Sequence, residues 1–130
     1  MKAEIIYDGA LRFLAENIDA EDNQDYRDRA PYILGTFCSQ VRGIDSAARQ
    51  IKGLNNSKIN DIVYLDLDSN FPMLDELAPA AELYLAAMLV IDYDAPLYER
   101  LFERYCDLIS TVCSSFAPIS ETTINKYFMD

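Results

Sequence analysis

The chain has 130 residues, 51% of them apolar and 25% charged, the proportions of an ordinary globular domain and not those of a disordered, collagenous or coiled-coil chain. Its 11 basic and 22 acidic side chains leave a net charge of −11, which argues against nucleic-acid binding through phosphate contacts over the surface as a whole. There is no histidine, so Ser-His-Asp and Cys-His nucleophiles are excluded, together with the commonest zinc ligand.

The length fits one domain over residues 1–130. Residues 3–17 read as a first helix, with Ile6, Ala10, Phe13 and Leu14 at helical spacing and Asp8, Arg12 and Glu16 on the other side. Residues 18–25 are acidic and polar and read as a linker or as the start of the next helix. A second helix is expected from about Asp28, which can cap it, with Pro31 in the first turn. Ile33, Phe37, Val41, Ile44, Ala48 and Ile51 form its apolar stripe, Gln40, Arg42, Asp45, Arg49 and Lys52 fall outside it, and Gly53 ends it.

Residues 54–75 lack helical periodicity and contain one β-like run, 62–67, with no partner strand elsewhere in the sequence. So long a connection is usually functional, and this one is expected to pair with another copy of the chain. The third helix starts at Asp75 or at Ala78, depending on where Pro79 falls, and residues 80–91 are apolar almost all round, the mark of a central buried helix. Residues 92–96 form a tight turn in which Asp94 can cap a fourth helix. That helix carries Tyr98, Phe102, Tyr105, Ile109, Val112 and Phe116, and Pro118 ends it. Residues 120–128 can form a last short helix. The fold class is therefore all-α: a small antiparallel bundle of four to five helices with a long extended loop between helices 2 and 3.

Cys38, Cys106 and Cys113 match no metal motif and are expected as buried free thiols, which fits a reducing compartment. The opening residues carry no apolar leader core, and the longest apolar run, 83–91, is too short to span a bilayer, so no membrane association is expected. The acid is uneven: residues 1–65 have a net charge of −2 and residues 66–130 of −9.

Asp66, Asp68 and Asn70 fit the first half of a calcium loop, but Phe71 stands where the turn needs glycine and Leu77 where a bidentate glutamate belongs. The apolar run before Asp66 resembles the nucleophile strand of haloacid-dehalogenase-like phosphatases. That chemistry needs a parallel sheet and a downstream lysine, and the sequence has no strand–helix–strand alternation and only Lys126 beyond this point. A polar turn is the better reading, with no catalytic residue, metal or cofactor expected. A metal-dependent enzyme using Asp66 and Asp68 stays as the competing class.

Glu99, Arg100, Glu103, Arg104 and Asp107 crowd the outer face of the fourth helix, where i,i+3 pairs contribute only about 0.2–0.5 kcal/mol each. Tyr64, Tyr93 and Tyr98 suit an interface, where tyrosine is enriched. The candidate subunit interface is accordingly Ile62, Tyr64, Leu65, Leu67, Tyr98, Arg100 and Arg104.

The string from Phe71-Pro72-Met73-Leu74-Asp75-Glu76-Leu77-Ala78-Pro79 into the apolar helix, the turn Leu89-Val90-Ile91-Asp92-Tyr93-Asp94, the pairs Leu97-Tyr98 and Arg104-Tyr105, and the closing Ile124, Tyr127 and Phe128 resemble head–tail connector (adaptor) proteins of tailed bacteriophages and prophages. The likeness covers about residues 71–128, with an echo around Gly9-Ala10-Leu11. It implies a non-catalytic virion structural protein that assembles as a ring homo-oligomer on the portal protein. Such a ring receives the next head-completion or tail protein and lets DNA pass without sequence-specific binding. It also implies assembly in the bacterial host cytoplasm and a final place at the virion head–tail junction. An acidic second half suits a channel lining. The alternative is a small helical protein–protein interaction or regulatory module, also non-catalytic.

Overall fold

A computed structural model describes residues 1–14, 23–55 and 64–115. These form four α-helices: α1 (Ala3–Phe13), α2 (Asn23–Ile51), α3 (Ala78–Val90) and α4 (Ala95–Ser115), with a 3-10 turn at Asp75–Leu77 leading into α3. The all-α expectation holds, and α3 is the hub on which α1, α2 and α4 each pack. Its residues explain this. Apart from Pro79, Glu82 and Met88, every residue of α3 is buried, so the helix has no face to offer water and its neighbours must enclose it. Both proposed starts are real: the 3-10 turn begins at Asp75 and the α-helix at Ala78, with Pro79 in its first turn, where a missing N–H leaves no bond unmade.

α1 buries Ala3, Ile6, Tyr7 and Ala10 against α3, with Leu14 just beyond its end. It is shorter than the periodicity suggested, and residues 15–17 lie outside the described residues. Gly9 sits at the crossing: a Cβ there would come within 2.4 Å of the Glu82 side chain.

α2 starts five residues earlier than Asp28, so Pro31 stands in the third turn and not the first. Most of the acidic linker lies outside the described residues, and residues 23–25 belong to the helix. The buried stripe is also rotated from the expected one. It runs through Ala30, Leu34, Phe37, Cys38, Val41, Asp45 and Ala48, whereas Ile33 and Ile44 are half-buried and Ile51 is exposed. Asp45, placed outside the stripe by its charge, is in fact at its centre. At Gly53, φ is +71°, and the Gly53 and Leu54 amides donate to the Gln50 and Arg49 carbonyls at 3.2 and 2.8 Å. This left-handed cap satisfies the last carbonyls of α2 and needs glycine at that position.

Asp94 caps α4 as expected, its Oδ1 accepting from the Leu97 amide at 3.1 Å. The end of α4 at Pro118 and the short helix over residues 120–128 lie outside the described residues. Buried aromatic rings seal the bundle: Phe37 of α2, Tyr84 of α3 and Tyr105 of α4 have centroids 5.2–6.2 Å apart.

Candidate interaction surface

The segment 64–74 is an irregular connection with a turn at Asp66–Ser69, and its burial alternates. Leu65, Leu67, Phe71 and Met73 point into the core, whereas Tyr64, Asp66, Asp68 and Asn70 face outward, the period of an extended chain with one side covered. Of the β-like run 62–67, residues 62 and 63 lie outside the described residues and 64–67 form no strand; the hydrogen bonds of Leu65 and Leu67 are made within the chain. The Ala3 and Glu4 amides, which open α1 and have no side-chain cap, donate to the Ser69 and Leu67 carbonyls at 2.9 Å each. The Phe71 amide donates to the Met1 carbonyl at 2.8 Å, and Lys2 and Asn70 form an antiparallel bridge. At the other end of the segment the Leu65 amide donates to the Pro31 carbonyl at 2.9 Å. The N-terminal donors of a helix and the carbonyls of the connection therefore satisfy each other.

A second device fastens the segment to α2. Asp45 is fully buried; its Oδ2 accepts from Arg49 Nε at 2.8 Å and its Oδ1 from the Leu74 amide at 2.8 Å. Arg49 then donates from Nη2 to the Pro72 carbonyl at 2.9 Å and from Nη1 to the Asn55 carbonyl at 3.2 Å. One ion pair thereby clasps both ends of the excursion that leaves α2 and returns to α3. Lys52 and Glu76 pair nearby. The sequence offered a signal for the clasp, an i,i+4 Asp–Arg pair, but i,i+4 pairs are usually exposed.

The expected interface residues separate accordingly. Leu65 and Leu67 belong to the chain's own core, because the excursion packs inward, so they cannot face another subunit as drawn. Tyr64 and Arg100 are exposed, and Tyr98 is half-buried, stacked on Phe102 at 5.5 Å. Arg104 lies over the Phe13 ring at 5.2 Å. Ile62 lies outside the described residues. On the outer face of α4, Arg100 with Glu103 and Arg104 with Asp107 form no ion pair among the described residues.

Three exposed tyrosines stand out. Tyr32 and Tyr64 meet edge to face with centroids 4.9 Å apart, and Tyr93, two-thirds exposed, packs on the edge of Tyr26. Arg29 organises the Tyr93 end. It pairs with Asp25, lies over the Tyr93 ring, and donates to the Met88 and Leu89 carbonyls at 3.2 and 3.4 Å, closing the C-terminus of α3. The Tyr93 hydroxyl donates to Asp25 at 3.3 Å. Comparison with protein-family models, curated proteins and solved structures finds no match. Tyr64 and Tyr93 were recognisable in advance because they lie outside the helical stripes, in the β-like run and in the α3–α4 turn. Tyr32 and Arg29 were not, being two polar-edged positions within a helix.

The titratable groups explain what the interior offers chemically. Burial pushes the Cys38 thiol up to about 12, with Asp45 adding to it. Burial likewise raises the Tyr105 hydroxyl to about 12 and raises Tyr84, against a hydrogen bond with Gln40 that lowers it. These groups stay protonated at neutral pH and serve packing. Cys106 is exposed and Cys113 half-buried, against the expectation of three buried thiols, because both lie off the face that α4 presents to α3. The Asp66 string forms an Asx turn, in which Oδ1 accepts from the Asp68 amide at 2.9 Å. Among the described residues, no group of three or more Cys, Asp or Glu side chains is arranged to hold a metal ion. No helix among them is long and apolar enough to cross a membrane.

Proposed function

We propose that the chain is a non-catalytic virion structural protein of the head–tail connector (adaptor) type, from a tailed bacteriophage or prophage, that works as a ring homo-oligomer. In that role it sits on the portal, joins capsid to the next head-completion or tail protein, and surrounds passing DNA without reading its sequence. Assembly takes place in the host cytoplasm, and the finished place is the head–tail junction. The observation that supports this reading best is the pairing of a helical bundle with exposed tyrosines. Tyr32, Tyr64 and Tyr93 are 51–66% exposed, and tyrosine with arginine is the composition of association surfaces. Those residues carrying the resemblance that lie among the described ones fall in the segment 71–74, the 3-10 turn, α3, the α3–α4 turn and α4. The net charge of −11 suits a channel past which DNA must slide.

A ring on this reading draws on Tyr64, Arg100 and Arg104, the three expected interface residues that remain exposed among the described residues, and not on Leu65 or Leu67. The test is co-sedimentation with an assembled portal protein encoded beside this chain. Wild type should co-sediment as a multimer, and Tyr64→Arg with Arg100→Glu should weaken it at least about tenfold while leaving the helical circular dichroism unchanged. A chain that remains monomeric with and without portal contradicts the proposal and favours the small helical interaction module.

A further inference from the structure

An open groove of about 480 Å³ runs along α2 from Asp28 to Thr36. Tyr84 and Met88 of α3 form its floor, and Tyr32, Ile33 and Thr36 its wall. Nothing among the described residues covers it. One end is built by the α3–α4 turn, through the contacts of Arg29 and Asp25 with Tyr93, and there Ile91 and Tyr93 are exposed and Asp92 faces solvent. The groove therefore continues into an apolar and aromatic surface.

Charge identifies the occupant. The one cation in the lining, Arg29, is committed to Asp25 and to the last carbonyls of α3. Nearby, Arg27 is committed to Glu4 and lies over Tyr7. Asp28, in the lining, is exposed and accepts from the neutral amide of Gln24 at 2.8 Å. Past the Tyr32–Tyr64 pair, Asp66 and Asp68 add two more outward carboxylates. An apolar trough with Asp28 in its lining and Asp66 and Asp68 in the adjoining depression complements a helix with an apolar face and lysines or arginines along one edge.

We propose that this groove is a docking site for a basic amphipathic helix of a partner protein, its apolar side chains on Tyr84, Met88 and Ile33 and its cations against Asp28 and Asp68. A second copy of this acidic chain is the poorer fit, because its own surface would bring carboxylates to carboxylates. The inference does not depend on the connector reading: it needs a partner helix and no ring.

The experiment uses a fluorescein-labelled peptide of leucine and lysine about four turns long, patterned for one apolar face, and a scrambled peptide of the same composition. Fluorescence anisotropy should show the patterned peptide binding at least about tenfold more tightly than the scrambled one. Asp28→Asn with Asp68→Asn should weaken it about tenfold. Glu99→Gln with Glu103→Gln on α4, which removes the same charge away from the groove, should weaken it less than about twofold. Tyr32→Ala, an exposed position that the fold does not need, should weaken it several-fold. The proposal is overturned if the two peptides bind alike or if both double variants lose equally, since either result means attraction to the overall charge. It is also overturned if the patterned peptide fails to bind, as when a second copy or residues 116–130 of the same chain occupy the groove.

Discussion

Replacing Asp45 by alanine removes the centre of the clasp between α2 and the excursion. The Asp45 side chain is 1% exposed and that of Arg49 18%, so water does not screen their pairing well. The substitution leaves a largely buried guanidinium without its carboxylate and the Leu74 amide without its acceptor. Breaking a buried ion pair on one side costs about 3–5 kcal/mol, and a buried amide left unpaired costs about 1–3 kcal/mol. The two overlap, since Arg49 keeps its bonds to the Pro72 and Asn55 carbonyls, so Asp45→Ala should destabilise by about 3–5 kcal/mol. Urea unfolding followed by circular dichroism reads the loss, and hydrogen exchange reads where it falls. The Leu65 and Phe71 amides, protected in the wild type by the Pro31 and Met1 carbonyls, should exchange faster in the variant. Replacing both partners, Asp45→Leu with Arg49→Met, should recover most of the loss, because an apolar pair of similar volume leaves no charge stranded. A loss below about 1 kcal/mol for Asp45→Ala, with exchange unchanged, would refute the clasp.

Leu85 is fully buried in α3, and Leu85→Ala should cost about 2–5 kcal/mol through lost transfer energy and the cavity left behind, read by the same urea titration. A disulfide reagent such as DTNB should label Cys106 first and Cys113 more slowly, and reach Cys38 only on unfolding, in keeping with their exposure and with the raised Cys38 thiol. The contribution of Cys38 and Tyr105 to stability should be full below about pH 9 and be lost as pH rises towards 12. Over that window the unfolded Cys38 and Tyr105 have released protons that the folded forms still hold, so the unfolded state binds fewer protons and ΔG of unfolding decreases with pH. Cys38→Ala should flatten the part of the Tm–pH curve that begins near pH 9.

The helices were legible because their signals are local. Residues 80–91, apolar on almost every side, announced the hub, and Asp94 and Gly53 marked a helix start and a helix end by chemistry that acts within one turn. What was misread depends on distant partners. The β-like run around Leu65 and Leu67 looked unpaired because its partner is no strand but the opening of α1, whose amides a sequence pattern does not pair with anything. Asp45 looked exterior because its charge concealed a partner amide 29 residues away at Leu74. Pro31 suggested a helix start because proline prefers that position, yet α2 runs through it with two turns before it. The groove was invisible for the same reason: Tyr32 and Arg29 gain meaning only from Met88 and Tyr93, brought beside them by the packing of α2 on α3.

Electron microscopy of the purified chain mixed with the portal protein and the head-completion proteins encoded beside it tests the central claim most directly. The account predicts closed rings seated on the portal, each with an open channel continuing the portal's own. Particles of portal alone beside free monomers of this chain would contradict it.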